Sequence, residues 1–382
     1  MRAPIALLTF AAAALIAVPG TSFAQVAPRP QVGVRTEVYV DDDGTTIWRP
    51  RASVGVPVGG DYAVNATYLA DVVSSASIDV VTRASKPIGE LHQEATLAVS
   101  RALPREGSVA VGYGFVHEPD FLGNAISFVG GVDLGANREY HVSTRLVGGI
   151  SRVGTVVDPQ FEEHIYSCLA TAGLSRIVNA RLVLRGNLEL QNLYGFLGSP
   201  YRTVRIGDWS GMPYTGTDPD ALAWVFTGVT ATARENVPDE RFRSKISMDL
   251  VAELGHGFAL YGNFGMYADS WSILATDDTL ELRFEPRPNL LFRLGGRVYA
   301  QSPAYFWRMR YDTANGVDGF VTDDKKLGPM QSYSGIAAGS IPLGSQFHVD
   351  FRVEFTHYHF PEFTLLHDRR ALATQLGVVW RP

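Results

Sequence analysis

The stretch "QFHVDFRVEF", Gln346 to Phe355, alternates without a break. Phe347, Val349, Phe351, Val353 and Phe355 occupy every second place, with Gln346, His348, Asp350, Arg352 and Glu354 between them. Successive side chains of a strand point to opposite faces, so this stretch has one apolar face and one bearing charges of both signs. A helix would scatter the same residues around its axis. Whether the apolar face meets a protein core or lipid decides where the protein works.

The same period recurs along the chain. In "ARLVLRGNLELQ" (180–191) Leu182, Leu184, Leu188 and Leu190 share a face opposite Arg181, Arg185, Asn187 and Glu189. In "LLFRLGGRVYAQ" (290–301) Leu290, Phe292, Leu294 and Val298 oppose Arg293, Arg297, Tyr299 and Gln301. Such segments, bounded by turn residues, predict sixteen strands near 31–41, 46–57, 61–72, 90–102, 107–116, 122–133, 138–149, 163–175, 179–192, 240–254, 256–269, 276–285, 289–301, 330–342, 346–358 and 370–381.

The connections sort by parity. Tight turns such as "VGGD" (58–61), "LPREG" (103–107), "LGAN" (134–137), "GHG" (255–257) and "PLGS" (342–345) follow every second strand. The longer links, at 73–89, 150–162, 193–239, 302–329 and 359–369, fall between them. Short turns on one side and long loops on the other are the pattern of a transmembrane antiparallel up-and-down β-barrel of about sixteen strands, with periplasmic turns and extracellular loops. Closure pairs every backbone donor and acceptor, as lipid demands. Aromatic residues near strand ends (Trp48, Tyr62, Phe115, Tyr194, Phe258, Phe284, Tyr358, Phe360 and Trp380) read as interfacial girdles. A secreted soluble β-protein is the competing fold.

The chain start agrees with export. Arg2, the apolar run from Ile5 to Val18, Pro19-Gly20 and the small residues Ser22 and Ala24 describe a signal peptide cut after Ala24. The expected layout is a signal peptide over 1–24, a short periplasmic segment over 25–30 and an outer-membrane barrel over 31–382. A formal net charge of −6 gives no basic excess and no reason to expect a nucleic-acid partner. Cys168 is the only cysteine, which rules out an intrachain disulfide. The final strand "LATQLGVVW" resembles the C-terminal signal read by the barrel-insertion machinery, although Arg381 and Pro382 follow Trp380. The expected partners are therefore that machinery, outer-membrane lipid and small polar solutes.

After the third strand, "DVVSSASIDVVTRAS" carries Asp71, Val73, Ser74, Ala76 and Ser77. It resembles the Asp-x-Val-Ser-Gly-Ala-Ser signature of a bacterial outer-membrane family, domain of unknown function 3570, with Ser75 standing where that family usually has Gly. The resemblance implies an outer-membrane barrel and lends no activity. The motif itself reads as a polar extracellular loop or an inward-folding constriction.

No G-x-S-x-G elbow, H-E-x-x-H helix or P-loop is present, so neither an enzyme nor a cofactor is expected. His141 and Ser143 share a face with Arg145 and read as lumen lining. His357 and His359, with His367 across the following loop, form a weak transition-metal candidate that reads first as loop-base histidines. The acidic groups at 41–44, 276–278 and 322–326 lack EF-hand spacing and read as solvated loop charge.

The polar face remains. Arg181, Arg185, Glu189, Asp249, Glu281, Arg283, Arg293, Arg297, His348, Asp350, Arg352 and Glu354 are the candidate lumen-lining residues. Opposed charges across an aqueous lumen set up a transverse field and bind polar solutes weakly, which suits a passive or weakly selective channel. The alternatives are a non-conducting barrel that scaffolds an envelope complex and, further off, an outer-membrane enzyme.

Overall fold

A computed structural model of the chain describes residues 29–75, 88–104, 106–207, 229–312, 319–363 and 366–382. The expected signal peptide and periplasmic segment thus lie almost wholly outside the described residues. Among those residues every regular element is a strand. The first nine are β1 (Gln31–Asp41), β2 (Thr45–Pro57), β3 (Tyr62–Ser75), β4 (Ile88–Leu103), β5 (Gly107–Glu118), β6 (Phe121–Leu134), β7 (Tyr140–Val153), β8 (Glu163–Asn179) and β9 (Leu182–Gly195). Then come β10 (Thr203–Gly207), β11 (Val229–Arg234), β12 (Glu240–Gly255), β13 (Phe258–Asp269), β14 (Leu274–Arg287) and β15 (Leu290–Gln301). Last are β16 (Tyr311–Asp312), β17 (Met330–Leu343), β18 (Phe347–His359) and β19 (Asp368–Trp380).

Sixteen of these strands close a barrel in which each pairs antiparallel with its neighbours along the chain. β1 meets β19 to shut it, with Val32 opposite Trp380 and Asp41 opposite Ala371. The sixteen expected strands match these one for one. The remaining three, β10, β11 and β16, form a small separate sheet inside two segments expected to be loops.

Because side-chain direction alternates and the register is continuous, one parity faces inward all the way round. The other parity carries the exposed apolar side chains, among them Leu97, Val111, Ile126, Leu146, Leu174, Ile246, Met266, Leu294 and Leu376. Among the described residues that belt packs against no other part of the chain, as the outward face of a membrane barrel does. Val353 and Phe355 of the opening stretch belong to it. Phe351 also points outward, and its ring lies over Gly339 of β17, where an added Cβ would come within 2.6 Å of it. On the inner face Asp350 of β18 reaches Arg35 of β1 (3.5 Å) across β19. Gly377 of β19 leaves the room, since a Cβ there would stand 3.2 Å from the Arg35 Nε.

Seven tight turns lie at one end, which we call the turn end, together with the outer ends of β1 and β19; the opposite, loop end carries the long connections. The aromatic residues divide accordingly. Tyr62, Phe258, Phe284, Phe347 and Trp380 point outward near the turn end, with Phe258 stacked on Phe284 (4.4 Å) and Phe347 on Trp380 (6.5 Å). Trp48 and Tyr194 point outward toward the loop end. Two of the expected girdle residues do not belong there. Tyr358 has inward parity, and Phe360 is buried at the loop end, where they stack at 6.3 Å.

Candidate functional site

The inner wall carries two charged arcs on opposite sides. On the first, β1, β3, β4 and β5 turn Glu37, Asp71, Glu94 and Glu118 inward in the half of the wall toward the loop end. Arg49 of β2 bonds both oxygens of Asp71 (2.6 and 2.8 Å) and reaches Glu37 at 3.1 Å. The His92 Nδ1 lies 2.5 Å from the Glu118 Oε1. On the second arc, β12 presents Arg241, Arg243 and Lys245, and β15 presents Arg297. Arg241 pairs with Asp269 and stacks over the Trp271 ring at 4.2 Å. Asp277 holds two cations, Arg297 at 2.6 Å and Lys245 at 3.4 Å. β3 and β13, the middles of the two arcs, stand eight strands apart in a ring of sixteen. An acidic-leaning wall therefore faces a basic-leaning one.

The loop end is built over these arcs. The chain from Phe196 to Asp239 and the chain from Ser302 to Gly328 join through β10, whose strand pairs antiparallel with β11 and parallel with β16. Ion pairs bind them: Arg202 contacts both Asp324 and Glu235, and Arg205 lies 3.2 Å from Asp323. Thr322 donates to Glu235 (2.5 Å), and the Trp307 indole donates to the Asp324 carbonyl (2.8 Å). Burial works to raise the Asp324 carboxyl, but Arg202 and Lys326 overcome it and hold the group down at about 2. Burial pushes Glu235 above the usual carboxylate range despite Arg202 beside it. Around this network Trp271, Ile273, Ala304, Phe306, Trp307, Met309, Leu327, Phe360 and Phe363 form an apolar cluster.

The two loops also reach the far rim. Lys325 bonds Asp43, between β1 and β2, at 3.3 Å. The Tyr201 hydroxyl bonds Asp120, between β5 and β6, and accepts the Val156 N–H at 3.0 Å. Beneath Phe196 and Tyr201 the inner wall of β5–β8 turns apolar, with Val116, Phe121, Val147, Val153, Ile165 and Leu169 buried against them. The described loop residues thus fold across the barrel mouth.

Eleven of the twelve candidate residues lie on the inner face. Asp249 accepts from Asn187, Tyr261 and Asn263 (3.2, 3.0 and 2.7 Å). Glu281 pairs with Arg283 (3.2 Å), which sits over the Tyr261 ring, and Arg352 pairs with Glu354 (2.7 Å). Arg185 donates to Ser175 at 2.9 Å. Glu189, Arg293 and His348 share the inward parity of their strands. Arg181 is the exception: it occupies the two-residue turn between β8 and β9, where its backbone N–H donates to the Asn179 Oδ1 (2.8 Å). The alternation that made it look like wall simply runs on into the turn.

The family-like motif is also relocated in part. Asp71 is no loop residue but a buried wall residue of β3, and Ser74 lies on the outward face of the same strand. Ala76 and Ser77 lie outside the described residues. His357 and His359 point outward and both approach one oxygen of Asp368 (3.2 and 3.0 Å), while the His367 ring stands 6.3 Å from that of His359. No metal cluster forms among the described residues. The acidic group at 322–326 is not solvated loop charge: Thr322, Asp323 and Asp324 are fully buried.

Sequence reading missed Arg202, Arg205 and Glu235 and took Asp323 and Asp324 for solvated charge, because their pairing joins segments far apart in the chain. It also left Arg241, Arg243 and Lys245 out of the candidate wall, although "ERFRSK" (240–245) shows them at alternate places on a strand already expected. Their signal was visible.

Three comparisons place this geometry. A family model described as "Protein of unknown function (DUF3570)" matches residues 160–362, a little over half of the chain. No curated protein matches the sequence. Among solved structures, a bacterial polysaccharide outer membrane secretin superposes with a TM-score of 0.55 at 7% identity, over 94% of this chain and 100% of that one. CdiB from Acinetobacter baumannii superposes with a TM-score of 0.53 at 8% identity, over 93% of this chain and 61% of that one. At such identities the likeness is one of fold, that of outer-membrane β-barrels.

Proposed function

Because this chain belongs to the DUF3570 family of proteins of unknown function, whose name assigns no activity, we propose from its geometry that it is an outer-membrane channel for small polar solutes, constricted at its mouth by its own loops. One observation carries the reading: the acidic arc around Asp71 and the basic arc around Arg243 face each other across the lumen. Opposed charges orient a dipolar solute and hold it weakly, so it can enter and leave. A barrel serving only as a scaffold needs no such polarity, and small or apolar side chains would fill it at lower desolvation cost.

In this reading the outward apolar belt meets outer-membrane lipid, residues 1–24 are cleaved after Ala24, and β19 engages the insertion machinery. A second reading, a closed barrel that scaffolds an envelope complex, draws support from the apolar cluster and buried ion pairs at the mouth. Planar-bilayer recording of the purified protein separates the two. Stepwise open-channel currents are expected; a folded, heat-modifiable barrel that never conducts would sink the channel reading.

A further inference from the structure

Below the folded loops, a cavity of about 240 Å³ lies against the inner face of β12–β15. Its wall is charged unevenly. Arg241, Arg243, Lys245 and Lys326 line it, against Asp277 and Asp324. Both carboxylates are already engaged, Asp277 by Arg297 and Lys245, and Asp324 by Arg202 from behind. Arg241 is neutralised by Asp269.

Arg243 is different. Among the described residues its Nη1 bonds the neutral Gln191 Oε1 (3.2 Å), its Nε is buried without an acceptor, and it forms no ion pair with a carboxylate. A guanidinium enclosed by protein with unfilled donors is costly unless an anion reaches it. Lys245 remains open to the cavity, with 37% of its side chain exposed. Tyr267 and Tyr299 line the same wall, their hydroxyls bonded to Asp269 (2.8 Å) and Gln301 (2.6 Å).

We propose that this cavity binds a small carboxylate-bearing solute of about monosaccharide size. The carboxylate lies between Arg243 and Lys245, where Arg243 supplies fork-shaped donors suited to two oxygens. The uncharged body packs on Tyr267 and Tyr299. The inference deepens the channel reading and rests on it for how the solute arrives: the basic arc becomes a station for anions, and the acidic arc opposite repels them toward it.

Isothermal titration of the folded, detergent-solubilised barrel tests the site with three probes that share a sugar ring: glucuronate, glucose and glucosamine. Saturable heat is expected for glucuronate alone, weakening as salt rises. Arg243→Gln and Lys245→Gln are each expected to weaken it about tenfold or more, since each removes a charge-assisted hydrogen bond. Heat-modifiability on a gel reports whether either variant has folded, and wild-type discrimination among the probes stands without them. Equal heats for glucose and glucuronate, no heat for glucuronate, or unchanged affinity in both folded variants would overturn the proposal. Bilayer currents distinguish the two failures: a barrel that binds glucuronate but never conducts defeats the channel reading, and one that conducts without binding it defeats this site.

Discussion

At the turn end, consecutive strands are joined by connections as short as residues 256–257 between β12 and β13, and no packed cluster forms there among the described residues. At the loop end, three connections bring Trp271, Phe306, Trp307, Phe360 and Phe363 into one cluster, and a fourth packs Leu197 and Val237 against it. The turn end is local structure, set by glycines in left-handed conformations such as Gly257 (φ +79°) and Gly344 (φ +72°). The loop end is tertiary structure, held by residues more than a hundred positions apart, such as Arg205 and Asp323. The contrast leads us to expect that the loop-end packing can be altered without unmaking the barrel.

The largest expected effect removes the centre of the closure. Trp307 is buried and hydrogen-bonded, so Trp307→Ala is expected to cost the loop end about 3–5 kcal/mol. Hydrogen exchange should show amides of the 302–312 and 319–329 segments losing protection while the barrel strands keep theirs. Equal loss in both would mean that the two ends are one unit. Next comes the wall itself. Phe351→Arg places a charge on the lipid-facing belt and is expected to cost about 2–4 kcal/mol near the midplane, read by urea unfolding from vesicles. A neutral result would place that face away from lipid.

The closure also carries a pH signature. Asp324 has a folded pKa of about 2, below the ordinary 3.8, so its stabilisation is complete above the ordinary value and is lost as pH falls through about 2. The contribution is on the order of 2 kcal/mol at neutral pH. Loop protection measured across pH 2–4, below the raised range in which Glu235 titrates, should fall toward the acid end. The smallest effect belongs to the turn end. Gly344→Ala meets no atom within 4 Å and suffers only its left-handed φ, so about 1 kcal/mol is expected, with loop protection unchanged.

The same contrast explains what could be read from sequence. Every barrel strand was legible because alternation is a local signal imposed by a wall with water on one side and lipid on the other. Phe347 to Phe355 shows it within nine residues. Arg181 misled because alternation carries no mark of where a strand stops. β10, β11 and β16 left no such trace, being too short for a period and paired across the gap between two loops. The acidic run at Thr322–Lys326 looked solvated because nothing nearby in sequence announces Arg202 and Arg205 as its partners. The aromatic density of "AYFWRM" (304–309) was the one local hint that the long loop folds on itself.

The central claim is that loops folded over a charged lumen limit what passes through it. Single-channel conductance of the wild type and of Asp324→Asn tests it most directly, because Asp324 ties the two loops together through Arg202. Discrete currents in the wild type, with larger steps in the variant, are the expected result. A folded variant with the wild-type conductance, or a wild type with no current at all, would contradict it.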